Sequence, residues 1–184
     1  MPRLALTLRA WPVIAFATIG LCFFTGWVAG LFGITLDEQE TVRQMRDMGA
    51  HAWRLYCRAG LPALFEDVAS RRFLLNVAAV SVVAPVFEET LFRWLLARIP
   101  CGRTAFFSAP VGRRLVVCAA ASSALFSLAH YLQTPKSNNA FLALFFFGLA
   151  QCWLYRKAER LWSPMLNHAL FNLTNLVLLF AVPS

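Results

Sequence analysis

Long charge-free stretches alternate with short polar ones along this chain, and the alternation marks the predicted elements. Ala10 to Leu36 carries no formal charge. It exceeds the roughly 20 residues a helix needs to cross a bilayer. No small-x-small cleavage site follows, so it reads as a retained signal anchor. Asp37 to Arg72 changes character. Asp37 and Glu40 have the spacing of a capping box. Val42, Met45, Met48, Ala52 and Leu55 then recur at helical spacing, with Arg43, Arg46, Arg54 and Arg58 largely on the other side. The pattern fits an amphipathic helix in the membrane interface, and equally a solvated loop helix. Gly60-Leu61-Pro62 ends it. Four more apolar spans follow: Phe73 to Ile99 with Pro85 inside it, Leu115 to Leu132, Ala140 to Tyr155, and a last one running to about Val182. Ser163-Pro164 opens the last, as a serine cap with proline in the first turn. The predicted fold is all-α, a polytopic transmembrane bundle of about five spanning helices plus one interfacial amphipathic helix. Residues 1–72 form the anchor and interfacial part, and residues 73–184 the core.

Composition removes the soluble alternatives. Of 184 residues, 59% are hydrophobic and 14% charged. Soluble domains carry roughly 25% charged residues, and a chain this short could not hide so much apolar surface from water. Lipid is therefore part of the solvent, and the chain is an integral membrane protein, expected in the cell membrane. The net charge of +8 does not imply nucleic acid, because the basic residues lie between the apolar runs. Arg3, Arg9, Arg98, Arg103, Arg113, Arg114, Arg156, Lys157 and Arg160 fall on one side of a five-span topology. Arg43, Arg46, Arg54, Arg58, Arg71, Arg72 and Lys136 fall on the other. The bias favours a cytoplasmic N-terminus. Trp11, Tyr131, Trp153, Tyr155 and Trp162 stand near span ends, as aromatic belts do. Cys22, Cys57, Cys101, Cys118 and Cys152 have no metal-ligand spacing and read as packing residues.

Against this background the polar residues inside the spans stand out, because a charge at the bilayer centre costs roughly 2.5–3.5 kcal/mol and faces a cavity or a partner. Glu89 and Arg93 are i and i+4, acid first, the favourable order for an ion pair. Glu88 points about 100° away around the helix. It has no local cation and is free to act as a general base. Phe126 and His130 are i and i+4 on another span. His168 and Asn172 are i and i+4 on the last, with Asn175 continuing their stripe. An imidazole and a carboxamide on one face can donate to a developing oxyanion. Ser122, Ser123 and Ser127 read as small residues for close helix packing, and His51 as an interfacial residue outside the spans. In five straight crossings His130 falls at a different depth from Glu88 and His168. Every aspartate lies outside the spans, so a paired-aspartate protease has no catalytic residues. H-E-x-x-H, G-x-S-x-G and the phosphate-binding GxxxxGK[ST] are all absent.

Glu88-Glu89-Thr90-Leu91-Phe92-Arg93 matches E-E-x-x-x-R, Phe126 to His130 matches F-x-x-x-H, and His168 to Asn172 matches H-x-x-x-N. In this order, on three apolar helices, the chain resembles the CPBP intramembrane proteases over roughly Asn76 to Phe180. That family includes type II CAAX prenyl endopeptidases and bacteriocin-processing or self-immunity proteins. The resemblance implies that Glu88 activates a water, aided by His130. It also implies that His168 and Asn172 stabilise the oxyanion, and that Glu89 and Arg93 hold and tune the first helix. The substrate would be a membrane-associated protein or peptide. Prenylated CAAX tails, bacteriocin leaders and C-terminal sorting tails are all open. A metal-free, glutamic-type hydrolysis is the expectation. Its metalloprotease alternative would place zinc on Glu88, His130 and His168. Two readings from other classes use the same polar cluster: a non-catalytic immunity or scaffold protein, and a small ion or proton carrier.

Overall fold

The computed structural model describes residues 2–33, 40–133 and 140–181. Among the described residues there are seven helices and no strand. They are α1 (Pro2–Leu31), α2 (Glu40–Glu66), α3 (Val68–Cys101), α4 (Arg103–Phe107), α5 (Arg113–Gln133), α6 (Phe141–Ala158) and α7 (Trp162–Ala181). Only α1, α3 and α5 are long and apolar enough to cross a membrane on their own composition. The other two expected spans form as α6 and α7. Their arginine, lysine, glutamine, asparagine and histidine side chains dilute their apolar character. The Asp37–Glu40 capping pair and Lys136 lie outside the described side chains.

α6 occupies the middle of the bundle and packs against α5, α1 and α7, while α3 closes the remaining side against α5 and α7. Close approach of α5 and α6 depends on Gly148, where a Cβ would stand 2.9 Å from the Ser123 side chain. Ser127 Oγ donates to Phe141 O across the same pair of helices. The three serines are thus small packing residues, as expected, and two also bond across helices. Ile14 and Ala15 of α1 share a core with Phe92, Phe126, Phe147 and Phe171, so the N-terminal helix is part of the site's supporting wall. Its second turn is tied to the start of α7 by a bond between the Thr7 and Ser163 hydroxyls. Ser163 was expected as an N-cap. Instead it lies inside α7, fully buried, and serves as a tie between helices. Tyr155 is likewise withdrawn from the expected belt: it is buried against Phe106 and Phe107. Cys57, expected in packing, is exposed.

α2 breaks at its expected stop. Gly60 has φ 77°, the left-handed region that glycine enters without penalty. The helix bends there and resumes to Glu66. Asp67 then caps α3: its carboxylate accepts the Ser70 N–H at 2.7 Å and faces His51 Nε2 at 3.1 Å. His51 is therefore paired rather than simply solvated. The Ser70 N–H, followed by the Ser70 side chain and the His51 ring, holds the Asp67 carboxyl below its ordinary value. A depressed folded-state pKa gives stability that is present above the unfolded value and lost as pH falls through the folded one. Melting temperature should therefore fall as the pH drops through and below the ordinary aspartate range, and less steeply in Asp67→Asn. Parallel curves for the two proteins would show that this cap does not anchor the α2–α3 corner.

α3 is a single helix that changes register twice, with π-helical stretches at Ala79–Val83 and Thr90–Arg98. Pro85, which the sequence places inside this span, sits just after the first. It is fully buried and has no N–H to donate. Such π segments sit frequently at functional sites. Side chains occupy carbonyls along the altered ladder: Thr90 Oγ1 donates to Val86 O at 2.7 Å, Ser122 Oγ donates to Phe92 O, and Asn172 Nδ2 donates to Val80 O at 2.8 Å. Gly102, with φ 84°, ends the helix.

Candidate active site

The helical spacing of Glu89 and Arg93 produces the expected ion pair: Arg93 Nε donates to Glu89 Oε2 at 3.0 Å, with both side chains 0% exposed. The arginine is held from two further directions. Its Nη1 donates to Ser122 Oγ at 3.4 Å, and its guanidinium carbon stands 4.9 Å from the centre of the Phe126 ring. Ser122, Phe126 and His130 follow one another at i, i+4 and i+8 along α5. The sequence shows that stripe, but Ser122's part in seating Arg93 was not read from it.

The other carboxylate oxygen of Glu89 is taken by α7, whose His168 Nδ1–H donates to Glu89 Oε1 at 2.9 Å. Glu89 is ionised against Arg93 and can only accept, so the proton of this bond sits on Nδ1. The opposite ring nitrogen, His168 Nε2, stands 3.7 Å from Glu88 Oε2. His168 therefore bridges the two glutamates. The ring is 3% exposed and wedged between Phe126 and Phe147.

Glu88, expected to be free of a local cation, keeps 24% exposure of its side chain, and His130 keeps 31%. Substrate and water can reach both. His130 Nδ1–H donates to Phe126 O at 3.0 Å, which can only accept. His130 Nε2 thus faces Glu88 Oε2, 4.0 Å away. That gap is too wide for a direct bond and suits a bridging water. His130, placed at another depth by straight crossings, faces the same Glu88 oxygen as His168 after all.

Asn172 follows His168 by one turn, and one of its two Nδ2 hydrogens is given to Val80 O. Asn175 is exposed on α7, away from this cluster. Behind the site, Gln151 Nε2 donates to Asn167 Oδ1 at 2.8 Å, with both residues 0% exposed. This pair fixes α7 against α6 immediately before His168. Sequence reasoning missed it. The only signal was two amides in otherwise apolar helices.

Glu88 Oε2, His130 Nε2 and His168 Nε2 are the donors that could face a metal. In a tetrahedral zinc site with bonds of 2.0–2.1 Å, donors stand about 3.3 Å apart. Here the separations from Glu88 are 3.7 and 4.0 Å. Among the described residues no group of three or more His, Cys, Asp or Glu is placed to hold a metal ion.

The arrangement is a buried ion pair and a buried imidazole that together support one partly exposed carboxylate, with a second, partly exposed imidazole beside it. Such a constellation can take a proton from water and stabilise an adjacent negative charge. Comparison with known proteins gives it a context. The family model described as type II CAAX prenyl endopeptidase, Rce1-like, matches residues 69–174, a range that holds all seven residues of the three motifs. No curated protein and no solved structure matches the chain. With more than half of its length matched, and with both imidazoles of the motifs standing within 4.0 Å of Glu88, the chain belongs to the Rce1-like family of CAAX-type intramembrane proteases.

Proposed function

We propose that the chain is a metal-free, glutamate-dependent endopeptidase that cuts a membrane-associated protein or peptide near the bilayer surface. It would sit in the cell membrane with a cytoplasmic N-terminus. The observation that carries this reading is the His168 ring held between the two glutamates. Glu89 fixes the ring from Nδ1, and Nε2 is left facing Glu88, the accessible carboxylate.

In this reading a water sits between Glu88 and His130. Glu88 takes its proton as the water oxygen attacks the peptide carbonyl carbon. The carbonyl oxygen becomes an oxyanion and receives hydrogen bonds from His168 Nε2 and Asn172 Nδ2. Donation from Nε2 requires the imidazolium form, because Nδ1–H is already given to Glu89. That form also balances charge, with two carboxylates against Arg93 and His168. Collapse of the tetrahedral intermediate breaks the C–N bond. Glu88 then returns its proton to the leaving nitrogen, and the carboxyl product departs with a free amine.

A zinc-dependent reading is favoured by one observation. Both imidazoles bond an acceptor through Nδ1, which is the outer support that metal-ligating histidines receive. Zinc bound by Glu88, His130 and His168 would polarise the carbonyl and activate water.

Mass spectrometry of membrane peptides, compared between cells with wild-type protein and cells with Glu88→Gln, tests cleavage. Elemental analysis and a chelator test the mechanism. The metal-free reading expects new peptide ends from wild type only, no stoichiometric zinc, and activity that survives dialysis against a chelator. One zinc per chain, with activity that follows it, would overturn that reading in favour of the metal.

A further inference from the structure

We propose that Pro85 is a positioning residue for the reaction: by leaving Val80 O without a backbone donor, it lets that carbonyl hold the Asn172 amide in the orientation that donates. The inference rests on the oxyanion role proposed above for Asn172.

The register of α3 carries the argument. Ala84 N–H reaches back five residues to Ala79 O. The next donor in that i→i−5 ladder would be residue 85, and its acceptor would be Val80 O. Residue 85 is proline, which has no N–H. Val80 O is instead taken by a side chain 92 positions away, Asn172 Nδ2 at 2.8 Å. A vacancy in one helix is thus filled by a motif residue of another.

The consequence concerns rotation of the amide. The terminal torsion of asparagine is broad and roughly two-fold, so a free carboxamide presents either N–H or C=O to a ligand. The carbonyl face would repel an oxyanion. With one Nδ2 hydrogen given to Val80 O, the nitrogen side is fixed toward α3, and the second hydrogen is left to donate. Restoring an N–H at position 85 would draw Val80 O back to the helix axis and loosen that hold. Buried Pro85 would then contribute to catalysis without touching substrate.

A four-protein melting cycle in detergent tests this: wild type, Pro85→Ala, Asn172→Ala and the double variant. Pro85→Val, closer in volume and also carrying an N–H, provides a second background should the alanine leave a damaging cavity. With Pro85 in place, Asn172→Ala leaves Val80 O without its donor and should lower the melting temperature by about 2–4 °C, the effect of one lost hydrogen bond in a chain of this size. In the Pro85→Ala or Pro85→Val background the backbone supplies a donor, and the same substitution should lower it by less than half as much. Pro85→Ala should also reduce kcat on a cleaved membrane peptide about tenfold, part of the roughly 10²–10³-fold that an oxyanion donor supplies, with KM unchanged. A proline that merely bends the helix would give additive melting shifts. Additivity, or wild-type kcat in Pro85→Ala, overturns the inference. The underlying reading fails separately: Asn172→Ala with wild-type kcat would remove the oxyanion role, while coupled melting would still report the bond through Val80 O.

Discussion

Glu88→Gln should reduce cleavage by at least the roughly 10²–10⁴-fold that general acid–base catalysis supplies, while the protein inserts and melts like wild type. The two expectations separate chemistry from folding. The side chain of Glu88 is 24% exposed and stands 3.7 and 4.0 Å from the two imidazoles, so no short bond depends on its charge. Glutamine keeps the shape and removes the proton acceptor. Steady-state cleavage of the peptide found by mass spectrometry, beside a melting curve in detergent, reads both quantities. Wild-type turnover would refute the glutamate mechanism and return the polar cluster to a binding role. In the zinc reading the same substitution would also lower the metal content.

Arg93→Ala has the opposite signature, with folding lost first. Arg93 and Glu89 are both fully buried and bonded at 3.0 Å. Breaking such a pair from one side leaves an uncompensated charge and costs about 3–5 kcal/mol. For a chain of this length that corresponds to a melting temperature lower by about 6–20 °C. The bond to Ser122 and the contact with Phe126 disappear with it. His168 loses its orientation as well, because the carboxylate that accepts its Nδ1–H no longer has its counter-ion. Activity should therefore vanish together with stability. Arg93→Lys keeps the charge but not the planar fork, and should recover part of the folding. Wild-type melting of Arg93→Ala would show that the pair does not hold α3 in the bundle.

The fold class and the side chains of the candidate site were legible in the sequence because both are local. Charge-free runs longer than a bilayer is thick dictate apolar helices. Four-residue spacings dictate which side chains share a face, so the Glu89–Arg93 pair and the joint presentation of His168 and Asn172 follow from helical geometry alone. The three motifs in order were sufficient to name the family. The number of helices apolar enough to span was less legible: α6 and α7 are helical, yet they bury polar groups that serve the interior of the bundle.

What remained belongs to contacts between distant parts of the chain. His168 meets Glu89 across 79 positions and Asn172 meets Val80 across 92. No periodicity within one helix states which face of another it will meet. Tertiary packing alone decided that His168 takes the second oxygen of Glu89, that His130 faces Glu88, and that Ser163 and Tyr155 serve the interior. The register of α3 was decided the same way. The sequence shows a proline and hence a missing donor. Residue 85 supplies no N–H to the ladder, and the carbonyl of Val80 takes the Asn172 amide of α7, a donor that only the packing of two helices distant in the chain could bring there.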